Sequence, residues 1–91
     1  METLLNNLSR LHTTPMGVER ISRNIGIAPD DVVEGIKKMI SADNAAIERK
    51  GKNYYIISGG CRITVNAHSY TIITAHKLRP GSPIFVNAVV R

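Results

Sequence analysis

Residues 45–66 read Ala45-Ala46-Ile47-Glu48-Arg49-Lys50-Gly51-Lys52-Asn53-Tyr54-Tyr55-Ile56-Ile57-Ser58-Gly59-Gly60-Cys61-Arg62-Ile63-Thr64-Val65-Asn66. Apolar and polar side chains alternate here with a period of two, interrupted at Lys50-Gly51-Lys52-Asn53 and at Gly59-Gly60. The pattern predicts strands over 45–49, 54–58, 61–66 and 69–77, with a further turn at Ala67-His68. Strands joined this tightly pair antiparallel, as a meander. A two-residue turn at Gly59-Gly60 sets Ser58 opposite Cys61, Ile56 opposite Ile63 and Tyr55 opposite Thr64. A four-residue turn at 50–53 sets Glu48 opposite Tyr55. A two-residue turn at Ala67-His68 sets Asn66 opposite Ser69, Thr64 opposite Thr71 and Arg62 opposite Ile73. Side chains of a strand alternate between faces. One face then carries Ile47, Tyr54, Ile56, Ile63, Val65, Tyr70 and Ile72, and the other Glu48, Tyr55, Arg62, Thr64, Asn66, Ser69, Thr71 and Lys77. A slip of one residue would exchange the faces.

Upstream the period lengthens. Leu4, Leu5, Leu8 and Leu11 mark one helical face over 2–11. Thr14 and Pro15 suit the cap and first position of a second helix, striped by Val18, Ile21 and Ile25 and ended by Asn24-Gly26. Pro29-Asp30-Asp31 opens a third helix, whose buried side is Val32, Val33, Ile36, Met39 and Ile40. The fold class is therefore α+β: three N-terminal helices packed on one face of a four- or five-stranded antiparallel meander. At 91 residues this is a single domain, with a helical layer over 1–43, the meander over 44–78 and a tail or fifth strand over 79–91. The apolar run 84–90 suits a sheet edge or a homodimer contact.

Composition narrows the function. Hydrophobic residues make up 43% and charged residues 21%, an ordinary globular balance. No apolar run reaches the roughly 18 residues of a membrane span, and the first residues carry no basic leader, so neither a membrane nor a secretory route is expected. A single cysteine, Cys61, excludes an internal disulfide, makes a cytoplasmic home the default and reads as a small buried apolar residue. The net charge of +5 is unevenly spread: residues 1–48 carry −2 and residues 49–91 carry +7 with no acidic side chain. An acid-free basic half fits a polyanion, RNA or other nucleic acid first and an acidic or nucleic-acid-handling protein second.

The open face holds the parts for metal-independent RNA cleavage: a base for the 2′-hydroxyl, cations for the phosphate and an acid for the leaving oxygen. Glu48 and His76 are the candidates for proton transfer, with His12 and His68 as further possible acids, and Arg62 and Lys77 the candidates for phosphate. Lys50, Lys52, Arg49, Tyr55, Thr64, Asn66, Thr71 and Arg79 complete the candidate nucleic-acid contacts, and Tyr55 and Tyr70 offer aromatic rings for stacking on bases. The bland alternative is a sheet with one solvated polar face. Under the register above His76 points into the packed face, and it reaches the open one only at a frayed end or through a bulge. His12, beside Thr13, suits a hydrogen-bonding role at a helix end better than catalysis. The histidines and Cys61 lack zinc-ligand spacing, no phosphate-loop motif is present, and no metal or cofactor is expected.

Three resemblances bear on these readings. Leu11-His12-Thr13-Thr14, Glu19-Arg20-Ile21, Glu48 through Asn53, Ile63-Thr64-Val65-Asn66 and Ser69 through Lys77 resemble a family of short bacterial proteins classed as a domain of unknown function. Ser69 through Lys77, with the order of elements, resembles the last strand of barnase-, colicin- and RelE-like ribonuclease toxins. Residues 4–58 resemble a winged helix-turn-helix, with Ile21 through Ile36 as the helical pair and Ala46 through Ile56 as the wing. Asp30, Asp31 and Glu34 on its second helix would repel DNA phosphate. The favoured expectation is a small RNA-directed protein, in its sharpest form a toxin-like metal-independent endoribonuclease. The alternative is a non-catalytic winged-helix-like module that binds nucleic acid or inhibits a nucleic-acid enzyme, as a phage-encoded inhibitor of bacterial defence would.

Overall fold

The computed structural model describes residues 3–78. The fold is α+β, with a four-stranded antiparallel sheet in the order β1 (Ala46–Lys50), β2 (Asn53–Ser58), β3 (Cys61–Asn66), β4 (Ile72–Lys77). Two α-helices precede it, α1 (Pro15–Ile25) and α2 (Val32–Ser41). The apolar run 84–90 and Arg79 lie outside the described residues.

Helix α1 starts where the Thr14 Oγ1 accepts the Gly17 N–H at 3.0 Å, with Pro15 at a position where no N–H is needed. It stops at Gly26, whose left-handed backbone (φ 72°) lets its N–H reach the Ser22 carbonyl. Pro29-Asp30-Asp31 forms a short 3-10 turn, and the α-helix begins only at Val32. Val32, Ile36 and Ile40 recur every four residues and are fully buried. Near the C-terminal end of α2 the Met39 carbonyl accepts the hydroxyl of the buried Ser58 at 2.6 Å, which ties the helix to β2.

The helix expected over 2–11 is instead a 3-10 segment, Leu5–Arg10, broken at Asn7 (φ −124°). Asn7 is buried and donates its amide to the Thr3 carbonyl at 2.8 Å, a local bond that competes with the α-helical ladder. Leu4 and Leu11 still enter the core, while Leu5 is left half exposed. One apolar cluster joins them to Ile21, Ile25, Val32, Ile36 and Ile40 and to Tyr54, Ile56, Ile63, Val65 and Ile72 of the sheet.

The first two hairpins keep the expected register: Glu48 faces Tyr55, Tyr55 faces Thr64, Ile56 faces Ile63 and Ser58 faces Cys61. Gly59 and Gly60 both take positive φ, as a two-residue primed turn demands. Between β1 and β2 the turn tightens to Gly51-Lys52, because Lys50 and Asn53 themselves pair. Shortening a loop by one residue on each side preserves the register.

The third hairpin differs twice. The expected Ala67-His68 turn is a longer loop: the Asn66 N–H donates to the Thr71 carbonyl, and β4 begins at Ile72. Inside it the Asn66 side-chain oxygen accepts the N–H groups of His68 and Ser69, both at 2.9 Å, and Tyr70 takes a left-handed backbone (φ 59°). That conformation costs a non-glycine residue about 1–2 kcal/mol. Offsetting it, the Tyr70 side chain is buried beneath the Arg10 guanidinium, 4.5 Å from the ring centroid. Moving the pairing by two residues leaves faces unchanged, so Thr71 stays open and Tyr70 and Ile72 stay packed. The second difference is a bulge. Val65 pairs with Ile72 but Thr64 with Thr74, which leaves Ile73 extra on β4. One extra residue exchanges the faces beyond it. The expected pairs Thr64–Thr71 and Arg62–Ile73 become Thr64–Thr74 and Arg62–His76. Ala75 turns fully into the core against α1, and its carbonyl accepts the Asn24 amide at 3.3 Å. The outer edge of β4 is also capped: residue 12 makes a parallel bridge to Thr71, and the Thr13 hydroxyl donates to the Ile72 carbonyl at 2.9 Å.

Candidate nucleic-acid interface

Three rows of side chains cross the open face. The middle row is Glu48–Tyr55–Thr64–Thr74. On one side lies Ile57–Arg62–His76, and the Arg62 guanidinium sits over the Tyr55 ring at 5.2 Å, joining the two rows. On the other side lies Lys50–Asn53–Asn66, with the Asn53 amide donating to the Tyr55 hydroxyl at 3.3 Å. Tyr55 is thus held from both sides, its hydroxyl by Asn53 and its ring by Arg62.

His76 stands on this face opposite Arg62, which corrects its expected place on the packed face; the bulge at Ile73 is the cause. The same bulge moves Lys77 the other way. Opposite Cys61, its Nζ reaches the end of α1, 3.9 Å from where a Cβ on Gly26 would stand. An ammonium there faces the negative end of the helix dipole. Arg49, a candidate nucleic-acid contact, alternates with Glu48 and lies on the other side of the sheet: its guanidinium is 5.6 Å from the Tyr54 ring and its Nε donates to the Gly51 carbonyl at 3.1 Å. Tyr70, a candidate for base stacking, is buried and cannot stack. Of the candidate cations among the described residues, Lys50, Lys52 and Arg62 remain at the open face or its turn.

Glu48 and His76 stand at opposite edges of the sheet, one on β1 and the other on β4. With strands about 4.8 Å apart and about 3.3 Å per residue along them, their Cα atoms are roughly 16 Å apart. They are therefore not neighbours on the face. Among the described residues, no three His, Cys, Asp or Glu side chains gather closely enough to hold a metal ion. A cleft of about 210 Å³ lies on α1, lined by Met16, Glu19, Arg20, Arg23 and Asn24.

A second polar group, spanning 59 residues of sequence, forms at the edge beside β4. The His12 ring lies with Nδ1 2.9 Å from the Arg10 carbonyl and Nε2 3.1 Å from the Thr71 hydroxyl. A carbonyl can only accept, so Nδ1 carries the proton and Nε2 presents a lone pair. Thr71 Oγ1 is in turn 2.7 Å from the Ser69 hydroxyl, which reaches the Asn66 side-chain oxygen at 3.2 Å. The Ala67 N–H donates to the Lys52 carbonyl at 2.7 Å, so the Gly51-Lys52 turn is tied to this loop. The hydrogen-bonding role expected of His12 is present, but its partner on Thr71 has no local signal in the sequence.

Fold and face together define a small α+β protein that presents an open polar sheet surface flanked by cations. The chain belongs to the family described as "Protein of unknown function (DUF3781)", whose model matches residues 5–76. No curated protein and no solved structure matches the chain. The resemblances to ribonuclease toxins and to winged helices gain no support from these comparisons, and the β1–β2 hairpin is built into a four-stranded sheet instead of standing free as a wing. No helix among the described residues is long and apolar enough to cross a membrane.

Proposed function

We propose that this protein binds single-stranded RNA through the open face of its sheet. The observation that carries the reading is Tyr55, an aromatic ring in the middle of that face, covered by the Arg62 guanidinium and oriented by Asn53. An aromatic ring paired with a guanidinium is a platform for an unstacked base, and Lys50 and Lys52 at the adjoining turn suit the phosphates that follow it. Glu48 is the one acidic side chain within the strands, and it sits at the β1 edge. In this reading the three N-terminal helical segments back the sheet and leave one face free.

Binding of a labelled single-stranded RNA oligonucleotide, followed by fluorescence anisotropy, tests the proposal. Stacking of one base is worth about 1–3 kcal/mol, so Tyr55→Ala is expected to weaken binding at least fivefold. Arg62→Ala is expected to weaken it as well, through both the lost charge and the released ring. Wild-type protein that leaves the RNA free at low salt, or a Tyr55→Ala variant that binds like wild type, overturns the reading.

A further inference from the structure

We infer that His12 is the proton acceptor of an RNA-cleaving site at the β4 edge of this face, with the ribose 2′-hydroxyl of a single-stranded RNA as its target. The inference rests on the RNA-binding reading and adds a reaction to it. Its basis is the chain of hydrogen bonds Arg10 carbonyl–His12–Thr71–Ser69. The Arg10 carbonyl fixes the tautomer and turns Nε2 outward as an acceptor. That acceptor now receives the Thr71 hydroxyl at 3.1 Å, a bond of the kind a 2′-hydroxyl must make to be deprotonated. Thr71 can turn its proton away from that lone pair cheaply, its oxygen staying in place. Its second partner, Ser69, is nearer at 2.7 Å, and either hydroxyl of that pair can donate. When Thr71 donates to Ser69, the imidazole lone pair is released and no hydroxyl is orphaned.

The cation for the phosphate stands at the same end of the sheet. Lys52, exposed in its turn, is held beside this loop by the Ala67 N–H bond to its carbonyl. In the step itself His12 Nε2 takes the 2′-hydroxyl proton and the 2′-oxygen forms a bond to phosphorus. The bond from phosphorus to the 5′-oxygen breaks, and that oxygen takes a proton from water. His12 then returns its proton to solvent. The products are a 2′,3′-cyclic phosphate and a 5′-hydroxyl, with no change of oxidation state and no net consumption of water.

The test uses the full chain and a 5′-labelled single-stranded RNA oligonucleotide in EDTA, beside the same oligonucleotide fully 2′-O-methylated. Wild-type protein is expected to cut the first, leaving cyclic phosphate ends, and to bind the second without cutting it. Positioned general bases contribute about 10²–10⁴-fold, so His12→Ala is expected to lose at least 100-fold in cleavage and to bind the methylated RNA within about twofold of wild type. The backbone of residue 12 makes the bridge to β4 through its own N–H and carbonyl, so the variant should keep the fold; an unchanged melting temperature checks this. Added imidazole should restore part of the lost cleavage, which a purely structural role would not allow. RNA that is bound but never cut, or a His12→Ala variant that cuts like wild type, overturns the inference and leaves the binding reading standing. RNA that is neither bound nor cut overturns both.

Discussion

Two double substitutions remove the same net charge from different sides of the sheet. Lys50→Ala with Lys52→Ala strips two cations from the open face and its turn. Arg49→Ala with Lys77→Ala strips two from the side of Tyr54 and the α1 terminus. Binding to single-stranded nucleic acid weakens with salt with a logarithmic slope of about 0.7 per phosphate neutralised. If Lys50 and Lys52 each neutralise one phosphate, their removal should lower the slope by about 1.4. Between 50 and 200 mM salt, wild-type protein should therefore lose about 7-fold more affinity than this variant does. Arg49 and Lys77 lie off the open face, and their joint removal should change the slope by less than about half that amount. Anisotropy titrations of one labelled RNA at four salt concentrations measure all three slopes. Because net charge is equal in the two variants, general attraction to a polyanion cancels from the comparison. Equal flattening in both variants would refute the placement of the interface on the open face.

Two further predictions concern stability. Gly17→Ala should lower the melting temperature, although alanine is favoured in helices by about 1 kcal/mol. The new methyl would collide with the Thr13 hydroxyl, which bonds the Ile72 carbonyl, and overpacking of this kind costs about 1–3 kcal/mol. Adding Thr13→Ala to Gly17→Ala should recover part of the loss in a thermal melt, and no recovery would count against the clash. Burial pushes the Cys61 thiol above its ordinary value of 9.0, with Lys77 partly opposing the shift. The unfolded chain then ionises first, so this contribution to stability is complete below pH 9 and is lost as pH rises above it. Melting curves of wild type and Cys61→Ala should differ in their alkaline fall, the wild type falling more steeply. The native thiol should also react slowly with a disulfide reagent.

Much of this arrangement is legible in the sequence where the determinants are local. Gly59-Gly60 specifies a two-residue turn, and from that turn the pairing of Tyr55 with Thr64 follows. The turn at 51–52 is shorter than expected, yet Glu48 still meets Tyr55, because symmetric shortening cannot change a register. Thr14, Pro15 and Gly26 mark both ends of α1 for reasons contained within one turn of chain. The failures lie where distant groups decide. Asn66 and Arg10 together hold Tyr70 in a conformation that its own type disfavours, and Arg10 is 60 residues away in sequence. The bulge at Ile73 sits where Thr13 and Asn24, from the other half of the chain, bond the backbone of β4. No period or turn propensity within 69–77 carries that information, so His76 and Lys77 exchange faces unannounced. His12 is legible as a hydrogen-bonding residue, but its partnership with Thr71 appears only once the chain has folded back on itself.

The bridge between residue 12 and β4 also bears on how the molecule is made. Its bonds join His12 to Tyr70 and Ile72, so the N-terminal segment, which also packs on α2, is not tied to the sheet until the last described strand exists. During synthesis from the N-terminus, the backbone bonds of His12 to the β4 edge must wait while some sixty further residues are added. Pairing over such a separation raises the contact order and slows folding. Hairpins β1–β2 and β2–β3, closed by two-residue turns, can form first and alone on the microsecond scale. The expected order is hairpins early and N-terminal docking last, with the His12–Thr71–Ser69 chain completed only in the final step. A nascent chain halted before Ile72 should accordingly leave the backbone around His12 open to proteases, and protection there should coincide with the appearance of β4.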